Sequence, residues 1–176
     1  AVQNILGDLL ASLSIVLDKP FVIGDFIVVD SLAGTIEHIG LKTTRIRSLS
    51  GEQLVFSNND LLKSRVRNYG RMSERRIVFK LGVIYQTSLE KLKAIKEILT
   101  DIVNNQENAR LDRVHFKEYG DSSLNFEVVY YVTNPDYGLY MYVQERINQE
   151  IFRRFEEQGI EFAYPTQTIY IQREGE

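Results

Sequence analysis

The first seventeen residues repeat their apolar side chains with the period of an α-helix, and this pattern constrains the fold more than any other. On a helical wheel, at about 100° per residue, the apolar side chains share one half circle. That half holds Val2, Ile5, Leu6, Leu9, Leu10, Leu13, Val16 and Leu17. The opposite half holds Gln3, Asn4, Gly7, Asp8, Ala11, Ser12 and Ser14, with Ile15 as its one large apolar member. Pro20 ends the predicted helix, because the residue before a proline avoids the α conformation, so we expect an amphipathic helix within residues 1–19.

This helix has the features of neither a targeting peptide nor a membrane span. A signal peptide has a basic start and a cleavage site of small residues, and residues 1–17 have neither. Seventeen residues rise about 26 Å, less than the roughly 30 Å of a hydrocarbon core, and Asp8 in lipid would cost about 2.5 to 3.5 kcal/mol. We therefore expect Asp8 to face water. Two arrangements stay open: the leucine half packs on a soluble core, or it meets membrane or a partner protein while the small polar half meets copies of the helix or a wet pore.

Residues 20–68 change to the pattern of short β-strands. The stretches "DFIVVD" and "LKTTRIRSLSGEQLVFSNND" are rich in β-branched and aromatic residues, and Gly24, Gly34, Gly40 and Gly51 separate the segments. We expect four or five antiparallel strands that form a small barrel-like sheet.

Residues 69–165 predict a mixed α/β domain. The strand "RRIVFKLGV" precedes a helix that a capping box of Thr87 and Glu90 would begin. Two strands follow, "RVHFKEY" and "LNFEVVYYV", and then a second helix that Gly159 would end as a C-cap. The order β-α-β-β-α is that of a ferredoxin-like split βαβ unit. A last strand, "TQTIYIQ" within residues 166–176, lies beyond Pro165 and is expected either at an edge of its own sheet or paired with neighbours in an oligomer.

Residues that carry chemistry are sparse. Cysteine is absent, His38 and His115 lie in different predicted domains, and "GVIYQTS" lacks the phosphate-loop pattern. We therefore expect no enzyme, no metal and no cofactor. Residues 63–76 carry six basic residues and one acid, which predicts either a solvated connector or an electropositive surface near lipid headgroups or nucleic acid.

Three stretches of the chain resemble the MscS-type family of small-conductance mechanosensitive channels. They are "AVQNILGDLLASLSIVLDKPFVIGDFIVV", "AGTIEHIGLKTTRIRSLSGEQLVFSNNDLL" and "IEFAYPTQTIYI". The order of the motif residues carries the resemblance: Pro20, Phe21, Gly24, Asp25, Gly34, Gly40, Thr44, Arg45 and Asn58. Three positions depart from the pattern of the resembled family: Asn4, where many relatives have a glycine next to the kink, with Gly7 one turn later; Ser57, where proline is frequent; and Ala163, which replaces a proline in an "FPYP"-like segment.

The resemblance implies an α+β fold: the end of a pore-lining helix (1–19), a small Sm-like antiparallel β-barrel domain (20–68), a ferredoxin-like α/β domain (69–165) and a C-terminal strand (166–176). It also implies a homoheptamer in the cytoplasmic membrane, with this part mainly on the cytosolic side. The residues implied to lie near the pore or its hinge are Gln3, Asn4, Gly7, Asp8 and Ser12. Ile169 and Ile171 would lie in a barrel of terminal strands from all copies.

The implied function is a channel that opens under membrane tension and releases ions and small solutes in hypoosmotic shock. The helix at the start would contact the bilayer, further membrane spans would precede residue 1, and no nucleic acid is expected as a partner. An alternative remains a soluble RNA-binding module made of a small β-barrel and a ferredoxin-like domain, with residues 63–76 as the backbone contact.

Overall fold

The computed structural model describes residues 2–171 and, at positions 2 and 4, the backbone alone. The helices are α1 (Val2–Asp18), α2 (Asn58–Lys63), α3 (Leu89–Asn104) and α4 (Tyr137–Gln158), with a 3-10 turn at Tyr69–Arg71. The strands are β1 (Phe26–Val29), β2 (Leu32–Ile39), β3 (Thr43–Ser48), β4 (Gln53–Ser57), β5 (Val66–Asn68), β6 (Arg75–Val83), β7 (Ala109–Tyr119) and β8 (Leu124–Val132). The chain divides into two compact units between Ser73 and Glu74. We call the part of the first unit that follows α1 the β-unit, and the second unit the α/β unit.

The β-unit contains one antiparallel sheet of five strands in the order β4-β3-β2-β1-β5. This confirms the prediction of four or five antiparallel strands. Its core is apolar and formed by one set of buried side chains: Ile15, Phe21, Ile27, Val29, Ile36, Ile46 and Leu61. Helix α1 therefore contributes to this core through Ile15, the residue that broke the helical pattern.

Helix α1 packs with the opposite face from the one its leucines suggest. Asp8, Ala11, Ser12 and Ile15 are buried, with Asp8 only 8% exposed. The large apolar residues of the other half are 44% to 69% exposed: Ile5, Leu6, Leu9, Leu10, Leu13, Val16 and Leu17. The expectation that Asp8 faces water is wrong, because the β-unit supplies hydrogen-bond donors that replace water around its carboxylate. The leucine half likewise does not pack on the core of this chain.

The α/β unit contains a three-stranded antiparallel sheet in the order β6-β8-β7, with α3 and α4 sharing its core. Gly159 ends α4 in the left-handed conformation (φ 60°), so the predicted C-cap is confirmed. The predicted capping box is wrong by one residue. Ser88 caps α3 by accepting from the Lys91 amide, whereas the Thr87 hydroxyl donates to the Ile84 carbonyl.

The segment after α4 pairs with the sheet at one position. Phe162 forms a single antiparallel bridge with Val83, and residues 163–171 have no strand in this single chain. Residues 172–176 of the predicted last strand lie outside the described residues, so its pairing between copies stays a prediction. No helix within residues 2–171 combines the length and hydropathy that a membrane crossing needs.

Candidate functional site

The candidate site is the contact that holds α1 on the β-unit, which we call the helix dock. Its centre is the Asp8 carboxylate, which accepts a hydrogen bond from the Ser57 hydroxyl at 3.0 Å and a longer one from the Asn59 amide at 3.4 Å. Gly7 also faces Asn59, since a Cβ at this position would lie 3.8 Å from Asn59 Nδ2. A buried carboxylate is stable only when donors replace its lost water. The helix is therefore fixed to the dock by a specific polar contact as well as by Ile15.

Ser57 links the dock to the start of α2. Its oxygen accepts from the Asp60 amide at 3.2 Å, which makes Ser57 the N-cap of α2, while its hydroxyl donates to Asp8. One side chain thus satisfies a free amide of a helix end and a buried carboxylate together. A proline at this position would have no hydroxyl, so serine supplies a donor that proline could not.

Asn58, the first residue of α2, is fully buried next to the helix dock. It accepts from the Thr44 hydroxyl and donates from Nδ2 to the Gly40 carbonyl, both at 2.8 Å, while its own amide donates to the Lys42 carbonyl at 3.0 Å. These bonds satisfy both ends of a buried amide side chain. Three residues of the sequence motif, Gly40, Thr44 and Asn58, therefore meet in one cluster that fixes α2 against strands β2 and β3.

A second cluster ties the end of α1 to β5. Asp25 accepts from the Val22 amide at 3.0 Å and from Asn68 Nδ2 at 2.8 Å, and Asn68 also donates to the Pro20 carbonyl at 3.0 Å. Gly70 approaches so closely that an added Cβ would lie 2.2 Å from Asp25 Oδ1. The chain that leaves α1 is therefore held at both ends of its turn.

The remaining motif residues have separate places. Phe21 is buried in the core, and Gly24 takes a positive φ of 94° in the turn before β1. Gly34 permits close strand contact, because a Cβ there would lie 2.2 Å from the Arg47 carbonyl oxygen. Arg45 is exposed on β3. The structure does not bring these residues into the helix dock.

The residues predicted near a pore or hinge separate into two groups. Asp8 and Ser12 are buried, and Gly7 is half-buried at the dock, whereas Gln3 is exposed. The Asn4 side chain lies outside the described residues. Helix α1 runs without a break from Val2 to Asp18, so a hinge at Asn4–Gly7 remains a proposal. Ile169 and Ile171 are both strongly exposed, 76% and 84%.

Sequence reasoning missed Ser57, Asn59 and Asn68 as partners of the acidic residues. The pattern Ser57-x-x-Asp60 was a usable signal for a helix cap, because serine before a first-turn acid is typical of helix N-termini. Ile15 was the other signal. It is the one large apolar residue on the small polar face of α1, and it is buried in the core.

The α/β unit carries an ion-pair network on α4 that reaches α3. The Arg154 guanidinium lies 2.6 Å from Asp101 on α3 and 3.0 Å from Glu150. Arg153 also contacts Glu150, at 2.5 Å. Hydrogen bonds from Arg153, and then from Arg154, lower the pKa of Glu150 to about 2. Glu150 is therefore charged at every physiological pH.

Two family models match the chain and together reach both units. The model described as "Mechanosensitive ion channel, beta-domain" matches residues 4–71, which include the whole helix dock. The model described as "Mechanosensitive ion channel MscS, C-terminal" matches residues 77–162. The fold and the helix dock thus define a protein of the mechanosensitive channel class.

The chain belongs to the MscS family. It is 39% identical over 176 residues to the small-conductance mechanosensitive channel MscMJ of Methanocaldococcus jannaschii, covering 99% of this chain and 50% of that protein. It is 28% identical over 174 residues to the low conductance mechanosensitive channel YnaI of Escherichia coli, covering 96% of this chain and 50% of that protein. The resemblance drawn from the sequence is confirmed. The chain spans about half the length of these relatives.

Solved structures share the fold. The crystal structure of Helicobacter pylori MscS in its closed state superposes with a TM-score of 0.81 at 22% identity, over 99% of this chain and 68% of that one. Arabidopsis thaliana MSL1 A320V, solved by cryo-EM, gives 0.85 at 18% identity, over 94% and 63%. The α+β architecture predicted from the sequence is thereby confirmed.

Proposed function

We propose that this chain is the cytosolic part of a homoheptameric channel in the cytoplasmic membrane, which opens under tension and releases ions and small solutes in hypoosmotic shock. Family membership supports the class of activity. The observation that carries the mechanism is the docking of α1 on the β-unit through Asp8. In this proposal α1 continues a pore helix whose membrane spans lie outside this chain.

The helix dock would pass movement from the pore to the β-unit. A helix held through a buried carboxylate and through Ile15 moves together with the sheet that it contacts. Tension favours the state with the larger area in the membrane plane, so an outward shift of the pore helix would carry the β-unit with it. A bend at Asn4–Gly7 would let the preceding helix tilt while the docked part stays attached to the β-unit.

The exposed leucine face supports the same arrangement. Its large apolar residues point away from the β-unit, and a continuous apolar face of this kind is typical of a helix that contacts lipid or protein. In the proposal it contacts the bilayer interface and the spans that precede it, while the small polar face is used for docking.

Single-channel recording from membrane patches under stepped pressure tests the mechanism in the full-length protein. Asp8→Ala and Ser57→Ala remove the same hydrogen bond, so both should shift the threshold tension in the same direction, and the double variant should shift it no further than the larger single effect. Asp18→Ala, at the exposed end of α1, is the matched control and should leave the threshold unchanged. Thresholds equal to the wild type in the two single variants and in the double variant would contradict coupling through the dock.

Assembly into seven copies is tested separately. Native mass spectrometry of the full-length protein should give a complex of seven protomers. Deletion of residues 166–176 should lower the fraction of intact complexes, because the proposal gives these residues to a barrel shared by all copies. An unchanged fraction would remove the barrel from the proposal.

We further propose that the chain has no enzymatic activity and no nucleic-acid partner. The relatives reported above bear the names of channels, which favours this over the RNA-binding alternative. A filter-binding assay at low salt separates the two, since tight RNA binding that weakens steeply with salt would support the alternative.

A further inference from the structure

Residues 161–163 pair with β6 as the start of a fourth strand of the α/β sheet, and the pairing then ends. The Ala163 amide donates to the Gly82 carbonyl at 2.9 Å, and the Ile84 amide donates to the Glu161 carbonyl at 3.2 Å. These two bonds flank the bridge between Val83 and Phe162. These bonds fix the register of any longer antiparallel strand along β6. In an antiparallel ladder, each step forward along one strand pairs with a step backward along the other.

That register places Pro165 where the ladder next needs a donor. Two residues beyond the Gly82–Ala163 pair, residue 165 would lie opposite Lys80 and would have to donate its amide to the Lys80 carbonyl. Proline has no amide hydrogen, so this bond cannot form. The two later ladder positions would pair Val78 with Gln167, and Arg76 with Ile169.

The edge of β6 is otherwise suited to another strand. Alternate residues of a strand direct their backbone groups to opposite sides, so the amides of Arg76, Val78 and Lys80 point to the same side as the Gly82 carbonyl. No ladder bond continues along this side beyond Gly82 within residues 2–171. Ile77, Phe79 and Leu81 of β6 are only partly buried, and such a strand would extend the sheet beside them.

A second contact supports the diversion of the chain. The Thr166 amide donates to the Ser122 hydroxyl oxygen at 3.4 Å, in the turn between β7 and β8. The chain after Pro165 therefore turns toward that hairpin. Residues 169–171 end strongly exposed.

We propose that Pro165 is a ladder stop. It prevents residues 166–171 from completing the sheet of their own α/β unit and thereby leaves them free to pair with other copies. The first statement depends on backbone geometry alone, and the second rests on the proposed oligomer. The Ala163 amide does donate to the Gly82 carbonyl, so Pro165 is the first residue of this segment that lacks the donor the ladder needs.

Amide-resolved hydrogen exchange on the full-length protein tests the ladder stop. Pro165→Ala restores the donor, so the amides of residues 76, 78 and 80 should exchange at least about tenfold more slowly than in the wild type, since each would gain a ladder bond. The fraction of intact oligomers should fall in parallel. Unchanged exchange in a folded Pro165→Ala protein would overturn the proposal, as would slow exchange of these amides already in the wild type.

Two further prolines give a matched pair in the Pro165→Ala background. Gln167→Pro removes the donor that faces Val78 and should return the amides of residues 76 and 78 to fast exchange. Thr168→Pro removes an amide that faces away from β6, so protection at residues 78 and 80 should persist. Equal effects of the two prolines would refute the register. Because amide exchange at residues 76, 78 and 80 reports on the sheet edge alone, a wild type that is not heptameric would refute the proposed function and leave the ladder stop standing.

Discussion

The Asp8 carboxylate accepts a hydrogen bond from the Ser57 hydroxyl at 3.0 Å, although 49 positions separate the two residues in the chain. Asp8 lies in a helix whose leucines face outward, and Ser57 caps the helix that follows β4. Asp8 is the one charged residue on the buried face of the amphipathic helix, and this bond joins it to the end of the sheet. Together with the buried Ile15, this bond holds α1 on the β-unit.

Asp8 and Ser57 should show a coupling free energy of unfolding of about 1 to 3 kcal/mol in a double-mutant cycle, because a hydrogen bond to a buried charge contributes that much. The variants are Asp8→Ala, Ser57→Ala and their combination. Denaturant unfolding, followed by a spectroscopic signal from the β-unit, gives the free energy of unfolding of each. Asp18→Ala with Ser57→Ala supplies the control cycle, with coupling near zero. Additive single effects at positions 8 and 57 would show that the bond does not stabilise the dock.

Thr44→Val should lower the free energy of unfolding by about 1 to 3 kcal/mol, since it leaves the buried Asn58 Oδ1 without the donor that now lies 2.8 Å away. Thr44→Ser keeps the hydroxyl and should cost less than Thr44→Val. Thermal unfolding of the two variants measures the difference. A larger loss in Thr44→Ser than in Thr44→Val would assign the role of Thr44 to its methyl group instead of its hydrogen bond.

Gly7→Ala tests the proposed hinge. The nearest atom to the new methyl group would be Asn59 Nδ2 at 3.8 Å, an ordinary contact, so the variant should fold. Alanine favours the helix by roughly 1 kcal/mol over glycine, so a bend at Asn4–Gly7 should become harder and the threshold tension should rise. Ser14→Ala, two turns further along α1, serves as the control. A threshold that rises equally in both variants would place the bend elsewhere.

Glu150 should contribute a pH-dependent part of the stability of the α/β unit. Its pKa falls from 4.5 to about 2 on folding, through Arg153 and Arg154. The folded state thus holds this proton less tightly than the unfolded state. Stability is therefore present above pH about 4.5 and is lost as the pH falls toward about 2.

Glu150→Gln removes that titrating group. Unfolding measured between pH 5 and pH 2, near the pKa limits of Glu150, should have a shallower pH dependence in the variant than in the wild type. Glu156→Gln, on the same helix, is the control because it leaves these two arginines paired with Glu150. A wild-type slope in Glu150→Gln would mean that other carboxylates set the acid sensitivity.

Much of the architecture was predictable from local patterns. Periodicity predicted α1, the antiparallel strands after residue 20 and the β-α-β-β-α order, because these patterns depend on neighbours three, four or two residues apart. Gly159 was predicted as a helix end for the same local reason. The cap of α3 was misplaced by one residue, since Thr87 and Ser88 both offer a hydroxyl and only the turn geometry chooses between them.

The sequence by itself determined that α1 is amphipathic, but only the tertiary structure decided which face is buried. A helical wheel ranks side chains by hydropathy and therefore places Asp8 in water, opposite the leucines, and it leaves open whether the leucines meet a core, a membrane or a partner. It contains no information on donors elsewhere in the chain, and Ser57 and Asn59 reverse the choice for Asp8 by replacing its water. The same holds for Pro165, which the sequence marks as a break. The register of Ala163 on Gly82 shows which hydrogen bond is lost, because pairing across a sheet depends on residues distant in the chain.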